Sequence, residues 1–587
     1  MRTDAVQAVA VVTALALFSC SAGSASDPLH RQVAAGGTTT STGASGGAPP
    51  AAAGGAGALG AAQPLLAGAA SSQGGATGTA GGAAPAAATG GSAVSSSGAA
   101  SGGTASGGGS TSGGGTTSAG GSTSAGGTTS AGGSTSGGGT AAGASALGGS
   151  TASADTPSAS TSGLFNINLS LSSAIATVGI VEWSIDAAID SAYVGLGREP
   201  GSYEFTAPVD LNEPDYRTLL LGMKPSTTYY VQVVAQGSSG THTSDVYPIE
   251  TGFLPNGLPV LSVDDRNAAA LYGGFTVNCS GVSSGGFGDV GGGDSWAFIF
   301  DKDGDYVWAY DLTDTVASGC SRARMSFDGK HMWAGNFSNV SPDGALLRVT
   351  MDGLSEAQTY SLPGRHHDFT VLPNNNVLFY EQENGGGYSD GAEGADIIKE
   401  LDPETGVTSQ IYHENTDFAE QIAESGAHTN YIAWVPHLNA ISFSLRHTST
   451  IGLISYPAGE LLAVFGGPIS DFDISWDTQH GHAVLEDTLL VFNNNGSNGG
   501  SSVLEYQYDL TSHSATKVFD YSSGNTSMAF GDVQRLPNGN TLVTYSSTGV
   551  IREINSAGEL LREITTDAIG YSVHRKTLYG PPPPVGE

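Results

Sequence analysis

Four residues in the C-terminal half of this 587-residue chain carry side chains suited to acid–base and anion chemistry: His367, His428, Arg446 and His480. Three of them fall in one stretch, from HTNYIAWVPHLNAISFSLRH to DTQHGH, and His367 lies upstream in GRHHDF. Their surroundings are rich in Gly, Ser, Asn and Asp, so a cluster of titratable groups there reads as an active site. It does not read as a metal centre. There is no HExxH motif or close histidine pair on a helix, and an arginine in the same pocket would repel a cation. The Gly-rich runs GGGYSDG and GSNGGSS lack the lysine and following helix of a phosphate-binding loop, so no nucleotide or other cofactor is expected. DKDGD at 301–305 spaces its carboxylates like a calcium loop, but the later glutamate is missing and the flanks read as strands. A hairpin turn is the better reading.

Residues this far apart in sequence need a fold that gathers them, and the chain repeats in a way that would do so. HDFTVLPNNNVLFY from His367, HGHAVLEDTLLVF from His480 and GDVQRLPNGNTLVTY from Gly531 share one pattern. A small residue or His is followed by Asp or Gly, three variable positions, Leu, a polar turn and a second apolar strand. NYIAWVPHLNAISF from Asn430 and RMSFDGKHMWAG from Arg324 follow it more loosely, and SWAFIFDKDGDYVWAY from Ser295 adds another strand–turn–strand. The starts at 367, 430, 480 and 531 are 63, 50 and 51 residues apart. Strand-built repeats of that size point to a β-propeller over 258–581, here of six blades, with YSVHRKTLYG available as a closing strand before the 582–587 tail. Side chains two apart on a strand share a face. His367, Asn430, His480 and Gly531 occupy one slot of the pattern, and His428 shares the face of Asn430. The innermost strands of different blades converge on the central channel, where these groups would form one anion-sized site. His447, next to Arg446, is expected to face the other way.

Upstream, residues 163–255 alternate apolar and polar positions in short runs such as ATVGIVEWSI and TTYYVQVVAQ, the signature of antiparallel strands in a β-sandwich. Trp183 suits a second-strand core tryptophan, and LLLGMKPSTTYYVQVVA, with Pro225, Thr227 and Tyr229, resembles the L-x-P-x-T-x-Y corner of fibronectin type III modules. No chemistry is assigned to this module.

Between Arg31 and Asp155 no charged residue occurs, and Gly, Ser, Thr and Ala dominate in repeats such as SAGGST and SAGGTT. With so little apolar side chain to offset backbone entropy, residues 27–162 are expected to form a disordered tether. As a Gly-rich coil it would hold its ends roughly 60 Å apart. Residues 1–26 begin with Arg2, continue with an apolar run too short to span a bilayer, and end at Leu17-Phe18-Ser19-Cys20. That segment reads as an export signal whose lipobox-like end would make Cys20 a lipidated N-terminus, with Ser21 resembling the pattern sorted to the outer membrane. An ordinary signal peptide cleaved between Ala22 and Ala25 is the other reading. The chain is then expected in the cell envelope, facing periplasm or exterior. In an exported protein the remaining cysteines, Cys279 and Cys320, are expected to pair, closing a loop of about 40 residues worth about 3–4 kcal/mol.

The formal net charge of −34 excludes nucleic acid as a partner, because its phosphates would be repelled. An anionic substrate would therefore need local cations. Over about 320 residues, from Val263 to Tyr579, the chain resembles the bacterial arylsulfate sulfotransferase family. The carrying pieces are His366-His367-Asp368, the H-x-N of His428 to Asn430, the SxRH of Ser444 to His447, and Gln479-His480 after the FGG of Phe465 to Gly467. The 18 residues from His428 to Arg446 also match. The resemblance implies transfer of a sulfuryl group from an aryl sulfate to a phenol through a sulfohistidine, without a nucleotide sulfate donor. His480 would be the nucleophile and must be neutral. Arg446 would bind sulfate oxygens with its planar fork. His428 and His367 would donate to the same oxygens or to the bridging oxygen. Either His366 or His367 fits the family position, the register with His480 favouring His367. His482 could support His480 or rival it. The alternative is a non-catalytic propeller lipoprotein that binds a glycan, peptide or protein partner, and a further one is an envelope scaffold with an adhesive fibronectin-like module. The simultaneous presence of His367, His428, Arg446 and His480 favours the enzyme, since binding alone does not require all four.

Overall fold

The computed structural model describes residues 158–160, 163–280, 295–314, 319–336, 344–383, 394–495, 499–567 and 569–582. The export signal, Cys20 and the tether up to residue 157 lie outside those residues; the end of the segment expected to be disordered, Ser158–Ser160, is instead a strand paired with Phe165–Leu171. The described chain is all-β, with one short α-helix, Ala419–Ser425, and a few 3-10 turns. No described helix is long and apolar enough to cross a membrane.

Two antiparallel sheets form the first region. One holds, in order, Ser158–Ser160, Phe165–Leu171, Gly179–Ile185 and Thr218–Leu220. The other runs Phe205–Pro208, Ser191–Gly197, Thr228–Gly237 and Gly240–Thr243, with Tyr247–Glu250 also paired to Thr228–Gly237. Alternation supplies the shared core: Phe165, Ile167, Leu169, Val181 and Trp183 from one sheet meet Val194, Leu196, Tyr229, Val231 and Val233 from the other. The Tyr229 hydroxyl accepts a hydrogen bond from Lys224 N at 2.9 Å, which ties the corner before its strand.

From Ser262 onward six further sheets follow one another. Four are simple antiparallel meanders beginning at Cys320–Met325, Arg365–Val371, Thr429–Val435 and His482–Val484. The other two interlock the ends of the region. Val573–Arg575 pairs with Phe275–Cys279, so the last strand joins the first sheet. Ser262–Asp265 pairs with Leu560–Thr565, so the first strand joins the sheet that starts at Asp532–Arg535. Such exchange makes opening at either end cost a ladder of backbone hydrogen bonds. The starting strands pack on one another in sequence order, and Arg322 bridges to Tyr571 in parallel. The starting strands at His367, Asn430, His480 and Gly531 therefore carry their repeat starts to one set of neighbouring strands. Aliphatic and aromatic clusters such as Leu378, Tyr380, Ile432, Ile441 and Phe443 fill the space between successive sheets.

Cys279 and Cys320 are disulfide-bonded, with Cα atoms 5.8 Å apart, joining the first sheet to the second. DKDGD forms the turn between Trp296–Asp301 and Tyr306–Asp311. Its carboxylates Asp301, Asp303 and Asp305 lie 3.1, 2.7 and 2.6 Å from the Lys224 amine, so the turn binds a lysine of the two-sheet region. Arg217 with Asp352, and Tyr579 with the backbone of Leu219 and Leu221, add further ties between the regions.

Candidate active site

The site gathers at the beginnings of the starting strands, where the strand geometry is broken. His367 has φ 48°, His428 φ 50°, Thr478 φ 56° and Phe530 φ 55°. The left-handed region is unfavourable for side chains of this bulk, and each position costs about 1–3 kcal/mol. The pairing register also shifts between His366 and Phe369 and between Thr429 and Tyr431. Strict alternation therefore stops just where the candidate residues begin, and the bulges rather than the period aim the side chains. At one of these turns Gly531, φ +107°, leaves room for Phe492, whose ring would lie 2.1 Å from any added Cβ.

The His367 and His428 rings sit 5.0 Å apart, centroid to centroid. Phe530 lies 6.3 Å from both His367 and His480, so these two imidazoles flank one aromatic ring. Tyr571 stands 6.5 Å from His480. Arg446 joins the group through the turn after Ala440–Leu445, where its backbone N–H donates to His428 O at 3.1 Å. Among the described residues no carboxylate is bonded to its guanidinium. The His367 and His480 imidazoles are buried and His428 is partly buried. Burial first, then Arg446, pushes the His480 imidazole down to about 3. Burial and the neighbouring Arg446 and histidines hold His428 well below the usual histidine range, and His367 is lowered by burial, His428 and His366. The cluster thus sets one guanidinium beside imidazoles that stay neutral.

Asn494 fixes the tautomer of His480. Its Nδ2 donates to the carbonyls of Ser527, at 2.8 Å, and Phe530, at 2.7 Å. With both amide hydrogens so placed, Oδ1 can only accept, and it lies 2.8 Å from His480 Nδ1. Nδ1 therefore carries the proton and Nε2 presents the lone pair. Asn494 was not singled out by sequence reasoning. Its only signal is the polar run Asn493-Asn494-Asn495 closing the strand Thr488–Asn493, which resembles any turn.

The neighbouring histidines separate by partner. His366 does not occupy the same position as His367: its Nε2 is 3.0 Å from Asp396 Oδ1 and its Nδ1 is 2.9 Å from His367 Nδ1. His482 turns Nε2 to Ser442 Oγ at 2.9 Å and Nδ1 to the backbone carbonyl of His480 at 3.4 Å, and packs on Tyr431 at 5.0 Å, so both its ring nitrogens have partners other than the His480 imidazole. His447 departs from expectation, lying 4.7 Å from the His428 ring. The strand ends at Leu445, so alternation no longer governs the turn that carries Arg446 and His447.

Residues 343–566 match the family model described as Arylsulfotransferase (ASST). That match supports sulfuryl transfer as the chemistry of this region, with an aryl sulfate and a phenol as the substrates such transfer implies. It covers every one of the four candidate residues. No curated protein matches the chain. Among solved structures, the chain is similar to virginiamycin B lyase from Staphylococcus aureus at 16% identity, covering 52% of this chain and 88% of that one, with a TM-score of 0.32. A putative 6-phosphogluconolactonase from Bacteroides uniformis aligns at 12% identity, over 65% and 99%, with a TM-score of 0.34. The periplasmic gluconolactonase of Pseudomonas aeruginosa aligns at 14% identity, over 66% and 99%, also with a TM-score of 0.34.

Proposed function

We propose that this protein transfers a sulfuryl group from an aryl sulfate to a phenol through a sulfohistidine at His480, without a nucleotide sulfate donor. The six sheets are read as the blades of a β-propeller spanning 258–581, preceded by a fibronectin type III-like sandwich over 163–255. The single observation that carries the mechanism is the Asn494 contact, because it leaves a neutral His480 with its lone pair on Nε2.

In the first step Nε2 attacks sulfur as the S–O(aryl) bond breaks and its electron pair leaves on the aryl oxide. The guanidinium of Arg446 holds the sulfuryl oxygens, with His428 beside it. His367 faces the oxygen that departs and, later, the oxygen that attacks. In the second step a phenolic oxygen attacks sulfur, the S–N bond breaks, and its electron pair returns to Nε2. A strongly acidic surface repels both donor and product, so the local cation is what makes the pocket habitable for an anion.

The experiment is incubation of the purified protein with a chromogenic aryl sulfate and a phenol. Transfer is expected, with ping-pong kinetics and an acid-labile phosphorus-free adduct of about 80 Da on the peptide holding His480, the mass of SO3 on a histidine nucleophile. His480→Ala abolishes adduct and transfer. Failure of folded protein to transfer from any aryl sulfate would leave a binding propeller instead.

We also propose that Cys20 is lipidated and anchors the chain in the cell envelope, on the outer membrane, through the 27–162 tether. Mass analysis of the N-terminal peptide from membrane fractions is expected to show acyl chains on Cys20. Recovery of an unacylated chain beginning after Ala22 would refute anchoring.

A further inference from the structure

We propose that Asp396, His366 and His367 form a proton relay that accepts the phenol's proton in the second transfer and places the resulting charge on His366. This rests on the sulfuryl-transfer reading above. The geometry comes from three consecutive links. Asp396 Oδ1 is 3.0 Å from His366 Nε2, which puts a proton on that nitrogen. His366 Nδ1 then accepts from His367 Nδ1, 2.9 Å away. His367 Nε2 is left as the lone-pair nitrogen of the neutral ring.

The Asp396 end is built to hold an anion. Its Oδ2 accepts from Thr429 N at 3.1 Å, and its own backbone N–H donates to Glu414 Oε2 at 2.8 Å. Glu414 Oε1 accepts in turn from the Thr429 hydroxyl. Burial first, and then the charge of Asp396, keep Glu414 protonated far above the usual carboxylate range. Both acids are fully buried, and the Asp396 carboxyl is the one that meets His366. Tyr380, fully buried, stacks on His366 at 5.8 Å.

The charges facing the other end explain why a relay is useful. His367 looks toward His428, His480 and Arg446, and Asp368 and Arg365 flank it on its own strand, while His447 borders His428. A cation held on His367 would sit among these positive or potentially positive groups, because the one adjacent carboxylate, Asp368, is already bound by Arg322. When the phenolic O–H bond breaks, its proton goes to His367 Nε2, and the Nδ1 proton of His367 moves to His366 Nδ1. The S–N bond breaks at the same time, its pair returning to His480. No further reactant is needed. The net positive charge then lies 3.0 Å from the Asp396 carboxylate instead of beside Arg446. His366 and Asp396 are positioning residues acting through His367.

The two half-reactions test this. Stopped-flow release of a chromogenic phenolate reports the first step, and transfer from the loaded enzyme to phenols of graded acidity reports the second. In Asp396→Asn and in His366→Gln the ratio of second-step to first-step rate is expected to fall about 100-fold for weakly acidic phenols, within the usual contribution of general base catalysis. The deficit should shrink for phenols already ionised at assay pH. A deficit equal in both steps, or independent of phenol acidity, would reduce the trio to a structural network. On unaltered protein, a proton inventory of the second step should bow, reporting two protons in flight. A straight line would overturn the relay even if the variants fail to fold. Absence of any burst from unaltered protein would instead sink the sulfuryl-transfer reading.

Discussion

Two arginine-centred clusters meet the starting strands, and they have opposite fates. Arg322 is fully buried and satisfied: Nε and Nη2 donate to Asp368 at 2.8 and 3.0 Å, and Nη1 donates to Asp532 at 2.8 Å. Tyr571 and Tyr431 cover it at 4.4 and 5.1 Å. Although burial opposes the charge, the two carboxylates hold its guanidinium well above its usual value. Arg446 is half-buried, meets no carboxylate among the described residues, and is ringed by imidazoles. What distinguishes a lock from a site is therefore not the arginine but its counter-charge. A guanidinium already matched by two carboxylates has no use for a substrate anion, whereas one surrounded by neutral rings has donors to spare.

The comparison breaks most visibly through stability. Asp368→Asn removes half of the fork around Arg322 and also the acceptor for Ile432 N, 3.2 Å away. Asp532 still faces Arg322, so the loss stays below that of a wholly unpaired buried charge, and urea denaturation should show about 2–3 kcal/mol, the scale of a lost charged hydrogen bond. Arg446→Met is expected to change stability by less than about 1 kcal/mol while transfer collapses. Equal losses at the two arginines would erase the distinction. In that event Arg446 would be another structural tie.

The two clusters also differ in how much of them the sequence discloses. His367, His428, Arg446 and His480 stand out because histidine and arginine are uncommon in this Gly- and Asp-rich chain, and repeat spacing is enough to assign them to successive starting strands. Their joint position is less visible. It depends on positive φ at His367, His428, Thr478 and Phe530, which no propensity marks, since none of these is glycine. That same break hid the proximity of His447 to His428, because alternation was extended past the strand's end. Arg322 was passed over for a related reason. Its partners Asp368 and Asp532 lie 46 and 210 residues away, and a polar triad across sheets leaves no local pattern. Asn494 was lost among neighbouring asparagines. By contrast, Trp183, Tyr229 and the alternating strands around them were legible, as a two-sheet core depends on period and little else.

Asn494 offers the finest probe of the histidine cluster, because its effect is on one proton. Asn494→Leu removes the acceptor at Nδ1 and frees His480 to place its proton on either nitrogen, so Nε2 presents a lone pair for only part of the time. Loss of both tautomer control and ring orientation should lower the rate of sulfohistidine formation about 10–100-fold, equivalent to about 1.4–2.7 kcal/mol. Asn494→Asp keeps an acceptor at the same place and adds a charge, while giving up, as the leucine does, both donations to the Ser527 and Phe530 carbonyls. A carboxylate beside the imidazole favours the protonated ring, so His480 should rise from about 3. Since only the neutral ring attacks, the acid limb of first-step rate against pH should move upward, while the plateau above it persists. A plateau lost equally in both variants would mean that Asn494 only supports the loop carrying Ser527 and Phe530. An acid limb unmoved by the aspartate would mean that something other than His480 limits the reaction in acid, and the protonation state assigned to the nucleophile would have to be abandoned.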